Sequence, residues 1–318
     1  MEAISVIFSV AFVAAVLRVS TPLILPALGG LISELGGVIN IALEGIMLVA
    51  ACAGVLVSVW TQSAWLGAIA GVALGMFIAL VLAFFHLNLK ADLILAAIAL
   101  NLLASGGTIF VVYLVTGDKS STSRLVSGQM PFLSDFIPSV RELGDLGRLL
   151  DQNILTYAAF VLTALVALFL YRTRTGIHLR AVGENPEAAR SVGINVRRMQ
   201  YLALLLSGML AALGGVYLSM GYVKFFARDM TGGRGFIALA AIYLGARKPL
   251  GVLIAALVFG AAEALSIQLG NLRVPTQLVQ IIPYFATLAA LVIYAVAQRQ
   301  RALARQRAFL QSRAARQV

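Results

Sequence analysis

Apolar positions along the chain come in long blocks, at about 4–20, 41–59, 64–86, 92–115, 152–171, 200–220, 232–246, 249–270 and 277–297, separated by polar breaks. A helix that spans a bilayer needs roughly 20 such residues, and a backbone in lipid must satisfy its own hydrogen bonds. The pattern therefore predicts an all-α, polytopic transmembrane helical bundle. Residues 21–40, TPLILPALGGLISELGGVIN, are apolar as well, but they carry Pro22, Pro26, two glycine pairs and Glu34. Such a stretch is either a short extra span or a broken, re-entrant one, tolerated at depth only where protein buries it or it lines a cavity. The expected count is nine or ten spans, in one transmembrane domain over 1–297 followed by a polar tail over 298–318.

Composition agrees. The 318 residues are 61% hydrophobic and 12% charged, whereas a soluble domain is about half apolar and about a quarter charged. The chain opens MEAISVIF, with Glu2 and no positive charge ahead of the apolar block, so an uncleaved first span is expected rather than a signal peptide. Cys52 is the single cysteine. That excludes a disulfide framework and a cysteine metal site, and Cys52 reads as a small core residue.

A formal net charge of +11 would suit a nucleic-acid partner, but its distribution argues for a bilayer instead. Between Arg172 and Arg198 there are six arginines against Glu184 and Glu187, and the tail beyond Gln298 holds six more with no acid. The loop 116–150 balances four basic residues against four acidic ones. Basic loops stay cytoplasmic, which puts 172–198 and the tail inside and 116–150 outside. Four apolar blocks separate the basic loop from the basic tail, an even number as this orientation requires. The linker GARKPLG, with Arg247 and Lys248, then falls on the cytoplasmic side. The tail can also touch anionic headgroups. The 116–150 loop is long for a connection; a docking surface for an external partner and a floppy soluble loop are both open.

The chain has no G-x-x-x-x-G-K-[ST] loop, no H-E-x-x-H and no spaced arginine series within a block, so nothing points to nucleotide binding, a zinc protease or a voltage sensor. Polar groups inside the apolar blocks are functional candidates by default, with interhelical hydrogen bonding as the plainer role. Asn40 and Glu44 lie four apart and would share a helix face. Asn101, Ser105 and Thr108 form a second stripe, and Glu263 and Gln268 sit in another block. In TGGRGF (231–236), Arg234 would flank a short broken span, and Phe236 would offer a flat face for a nucleobase; a glycine-rich turn with a snorkelling arginine is the alternative.

Between two apolar blocks stands Gly183-Glu184-Asn185-Pro186-Glu187-Ala188-Ala189-Arg190-Ser191-Val192-Gly193. Asn185 is a favoured N-cap, Pro186 suits the first helical position and Glu187 the positive helix end. Ala188, Ala189 and Arg190 favour helix, and Gly193 can end it in the left-handed conformation. A rigid helix of about two turns is predicted, either an interface for a cytoplasmic motor or a well-capped surface turn.

The segment TGIHLRAVGENPEAARSVGINVRRMQYLALLLSGMLAALGGVY closely resembles the cytoplasmic loop and following span of ABC-importer permeases in the branch that handles branched-chain amino acids, ribose-like sugars and nucleosides. ELGGVINIALEGIMLVAA (34–51), TGGRGFIALAAIYLGARKPLG (231–251) and PYFATLAALVIYA (283–295) look like the nucleoside-type permeases, in matching order. The resemblance implies an inner-membrane permease that imports nucleosides or nucleobases by alternating access, with no cofactor of its own. Its implied partners are a second, similar permease, separate ATPase subunits that use ATP and magnesium, an extracytoplasmic substrate-binding protein and the bilayer, with no nucleic acid. By this resemblance Gly183 to Gly193 would be the coupling helix that docks on the ATPase. Asn40, Glu44, Asn101, Arg234 and Phe236 are the expected pathway residues. A simple-sugar importer and an ion-coupled secondary transporter are the rival readings.

Overall fold

The computed structural model describes residues 10–270, with the single position 292. The block 277–297, the family-like stretch 283–295 and the basic tail lie outside the described residues. In chain order the main helices are α1 (Val10–Leu35), α2 (Leu43–Thr61), α3 (Ala64–Leu87), α4 (Leu93–Thr116), α5 (Ile154–Arg172), α6 (Arg174–Glu184), α7 (Pro186–Ser191), α8 (Val196–Val216), α9 (Arg234–Leu244) and α10 (Pro249–Gly270). A π-helical turn, Tyr217–Tyr222, extends α8. Among the described residues seven helices are long and apolar enough to cross a membrane: α1 to α5, α8 with its extension, and α10. The all-α bundle expected from the sequence is what forms.

Two expected spans resolve differently. Residues 21–35 are not a separate or re-entrant segment but the second half of α1, which runs through Pro22 and Pro26. Proline at position 22 removes the amide that would bond the carbonyl of Arg18. The Tyr217 hydroxyl donates to that carbonyl instead, at 2.9 Å, so the backbone group is satisfied by a neighbouring helix. Only the turn after Leu35 is irregular. The second difference is 232–246. Its helix, α9, has 11 residues and, at about 1.5 Å each, covers roughly half of a ~30 Å hydrocarbon core.

Helix α1 is the central post. Nearly every residue from Val19 to Glu34 is buried, against α8, α10, α9 and α5. Small residues permit the closest crossings: a Cβ on Gly215 of α8 would come 2.0 Å from the carbonyl oxygen of Met47 in α2, and one on Gly260 of α10 would come 1.9 Å from Ser20 Oγ in α1. Such backbone-to-backbone packing is how helices associate where lipid supplies no hydrophobic drive. Cys52 is buried, as expected. The outer faces of α3 and α4 expose Phe77, Leu95, Leu102, Leu103 and Phe110, apolar surface suited to lipid or to another apolar helix.

The 116–150 loop carries local structure along part of its length. It contains the short turns Leu133–Phe136, Pro138–Leu143 and Gly144–Leu150 and is hydrogen-bonded to the segment after α8. Thr122 donates its amide to Phe226 at 2.9 Å, Met130 donates to Met220 at 3.0 Å, and Ser127 Oγ donates to the Lys224 carbonyl at 2.9 Å. It caps one end of the bundle and fixes residues 223–233 beneath it.

Candidate functional site: a polar cavity at a broken helix

Residues 223–233 leave the capped end in irregular conformation, with Asp229, Gly232 and Gly233 at φ of 49°, 54° and 81°. Helix α9 begins only at Arg234, against the first turn of α2. Glycine suits Gly232 and Gly233 because the left-handed region costs it nothing. The N-cap Gly233 has no side chain to cap with. Glu44, in the first turn of α2, does so from across the bundle: its Oε1 accepts from the Gly233 amide at 2.8 Å and its Oε2 from the Gly235 amide at 2.7 Å. A carboxylate receiving two amides at the positive end of a helix is favourable on both counts. Gly235 is required for the approach, since a Cβ there would lie 2.5 Å from the Glu44 amide nitrogen.

Helix α2 starts at the same place and is capped in the same cross-wise manner. Asn101 of α4 accepts from the Gly45 amide at 2.8 Å and donates to the Ile41 carbonyl at 3.1 Å. Two helices thus begin side by side within the bundle, each stabilised by a side chain from elsewhere in the chain. Discontinuous helices of this kind are where transporters form binding sites.

At this junction lies a cavity of about 370 Å³, lined by Glu44, Gly45, Leu48, Ile98, Asn101, Leu102, Ser105, Asp229, Thr231, Gly232, Gly233 and Phe236. That volume is within the range of small-molecule sites. Phe236 is 48% exposed. Ser105 Oγ donates to Asp229 Oδ1 at 2.8 Å. Among the described residues no lysine, arginine or histidine lines the cavity.

Of the five pathway candidates, the cavity brings together Glu44, Asn101 and Phe236. Arg234 stands behind its wall: one guanidinium nitrogen donates to the Met230 and Thr231 carbonyls at 3.2 and 3.1 Å, and the other pairs with Glu263 of α10. It does not snorkel; it anchors the start of α9. Asn40 is fully buried and away from the cavity. It does not share a helix face with Glu44, because α2 begins at Leu43. Its amide nitrogen Nδ2 donates to Ser207 Oγ of α8 at 2.9 Å, its backbone amide to Ser33 Oγ of α1 at 3.2 Å, and its Oδ1 accepts from Ala42 at 3.1 Å. Thr108, third of the α4 stripe, faces an apolar groove with Cys52 and Trp60. Asp229 lines the cavity but escaped the sequence reading, because its segment carries no periodicity; the adjacent glycine pair was the available signal.

At the other end of the bundle the capped helix forms largely as its residues dictate. Asn185 Oδ1 accepts from the amides of Glu187 and Ala188 at 3.1 and 3.0 Å, Pro186 is the first residue of α7, and Gly193 is left-handed at φ 84°. Helix α7 has six residues, close to the two turns expected, while Gly183 and Glu184 close α6. Ala189 is not at the surface. It packs with Val182 and Val196 in a small apolar cluster that fastens α7 to the bundle. Glu184, Pro186, Glu187, Ala188 and Arg190 are exposed, and so is Val192, at 74%. Arg247 Nη2 pairs with Glu34 Oε1 at 3.0 Å, and Gly183 packs on Leu35, so the 245–248 turn and α7 share one end of the bundle.

The chain thus carries a polar cavity at a broken helix within a bundle of apolar helices, and a short capped helix with an exposed face at one end. Over residues 12–296 the chain matches the branched-chain amino acid transport system / permease component family, and it belongs to that family as a multi-pass membrane protein. It is 36% identical to the guanosine ABC transporter permease protein NupQ of Bacillus subtilis, over 88% of this chain and 90% of that one. It is 32% identical to the nucleoside ABC transporter permease protein NupC of Lactococcus lactis, over 89% and 91%. It is 34% identical to the putative glucose ABC transporter permease protein TsgC13 of Haloferax volcanii, over 82% and 78%. A solved structure, PsaBC of Streptococcus pneumoniae with Fab, has a similar fold at a TM-score of 0.52 and 14% identity, covering 91% of this chain and 94% of that one.

Proposed function

We propose that this chain is the permease of an ATP-driven importer whose cargo is nucleosides or nucleobases, taken through the cavity at the start of α9. The character of that cavity carries the reading. Its polar side chains are Glu44, Asn101, Ser105, Asp229 and Thr231, no cationic side chain lines it among the described residues, and Phe236 presents a ring. The Asp229 carboxylate, half exposed at the cavity, suits a neutral solute that donates hydroxyl protons and opposes a phosphorylated one, while an aromatic face suits a flat base. The names of NupQ and NupC support the same cargo.

The importer assembles, in this reading, from this permease, a second, similar permease, two ATPase subunits and an extracytoplasmic binding protein in the bacterial inner membrane. The basic tail lies in the cytoplasm. ATP and magnesium act in the ATPase. Helix α7 docks there through Glu187 and Arg190, with Glu184 and Val192 flanking it, and nucleotide-driven movement of the ATPases switches the bundle between outward- and inward-facing states. TsgC13 favours a simple-sugar cargo as the second reading; a sugar would meet Phe236 through the C–H face of its ring.

The test is uptake of labelled nucleosides and glucose by proteoliposomes holding the complete complex, with and without ATP. ATP-dependent nucleoside uptake that Glu184→Arg with Glu187→Arg abolishes, in a normally inserted protein, is the expected result. Glucose uptake alone would move the cargo to sugars. Uptake driven by an ion gradient without ATP would overturn the importer reading.

A further inference from the structure

The polar groups of the cavity are not equally free to meet cargo. Both carboxylate oxygens of Glu44 are held by the amides of Gly233 and Gly235. Asn101 spends its oxygen on Gly45 and its amide on Ile41. Ser105 gives its proton to Asp229, and Thr231 is 1% exposed. Asp229 differs. A carboxylate has about four acceptor positions; here Oδ1 accepts one bond from Ser105 and Oδ2 one from Arg228 Nε, an ion pair at 3.4 Å, so each oxygen keeps a second acceptor position. The side chain is 52% exposed. It is held on a non-glycine residue in the left-handed region, φ 49°, an arrangement whose backbone is fixed by the Gly232 amide donating to the Asp229 carbonyl at 3.0 Å.

We propose that Asp229 is the specificity-determining acceptor for the vicinal hydroxyl pair of a ribonucleoside, with Phe236 supplying the face for its base. The inference rests on the nucleoside reading above. A carboxylate presents two oxygens side by side and can accept from two adjacent hydroxyls at once, the geometry that makes carboxylate recognition bidentate. A 2′-deoxynucleoside offers one hydroxyl of that pair and leaves an acceptor unmatched. Sites built to hydrogen-bond a hydroxyl reject analogues that lack it. Asp229 therefore gives the permease a discrimination of its own, downstream of whatever delivers the cargo.

The experiment compares guanosine and 2′-deoxyguanosine uptake by proteoliposomes holding the whole complex, with the same binding protein throughout, for the wild type, Asp229→Asn, Asp229→Glu and Phe236→Ala. With the delivery step constant, a change in the guanosine-to-deoxyguanosine ratio belongs to the permease. Asp229→Asn is expected to reduce that ratio about tenfold, the usual scale for a hydrogen bond to a charged group. Asp229→Glu, which keeps the charge but displaces it by a methylene, is expected to reduce it as well. Phe236→Ala is expected to lower both rates together and leave the ratio alone. An unchanged ratio in whichever Asp229 variants assemble with the ATPase, or an equal loss of both substrates, would overturn the assignment. A wild type that imports neither nucleoside would instead strike down the cargo reading, so the two failures are told apart.

Discussion

Gly183 sits against Leu35 with no room for a side chain: a Cβ on Gly183 would lie 2.1 Å from the Leu35 carbonyl oxygen and 2.9 Å from the Gly37 amide nitrogen. Gly183 is the penultimate residue of α6, two positions before the cap of α7. Leu35 ends α1, and the turn after it leads through Asn40, braced on Ser207, to Ile41 and Gly45, both bonded to Asn101, and to Glu44 of α2, which caps α9. One continuous set of contacts joins the exposed helix to the cavity.

The first prediction concerns that contact. Gly183→Ala forces α6 away from α1, an overpacking cost of about 1–3 kcal/mol. In the assembled importer we expect basal ATP hydrolysis to persist while cargo uptake falls at least several-fold. Gly193→Ala is the control: Gly193 is left-handed but has open space around it, so its cost is about 1 kcal/mol of backbone strain with little effect on uptake. Equal uptake by the two variants would show that the Gly183 contact transmits nothing.

A second prediction separates charge from shape at Glu44. Glutamine keeps the size but sets an NH₂ group against one of the two backbone donors of Gly233 and Gly235. An unmatched buried donor costs about 1–3 kcal/mol. Glu44→Gln should lower the melting temperature of the purified permease and reduce uptake of ribo- and deoxyribonucleosides in the same proportion, since Glu44 caps α9 and does not select cargo. A ratio that shifts with Glu44→Gln, and a melting temperature that does not, would reverse that role.

The third prediction concerns Val192. It is an exposed apolar side chain just past the end of α7, where exposed ion pairs alone contribute little. Val192→Asp should leave the stability of the isolated permease within about 0.5 kcal/mol and weaken its co-purification with the ATPase. Retention of full complex by Val192→Asp, in detergent and at high salt, would place the docking contact elsewhere on the loop.

The resemblance to importer permeases was legible because it is carried by local words in order, and the α7 cap follows directly from Asn185, Pro186 and Gly193. The cavity was legible in part. Glu44 and Asn101 stand out as polar residues in apolar blocks, and Phe236 follows a glycine pair. Asn40 stands out for the same reason but is an internal brace, because polarity in a sequence does not say whether a partner is near. Asp229 lies in an irregular stretch where neither helical nor strand periodicity gives direction.

What the sequence determined by itself is the set of local structures. Runs of apolar residues make helices that satisfy their own backbones in lipid, and caps and glycines end them within a few residues of the signal. Tertiary structure decided where helices continue and where they break. Helix α1 passes through Pro22 because Tyr217, almost 200 positions away, supplies the donor that proline lacks. Helix α9 starts inside the bundle because Glu44, 189 positions before Gly233, provides the cap its own glycine cannot. Both depend on hydrogen-bond partners that only packing brings within 3 Å, and neither partner leaves a mark in the residues beside the break.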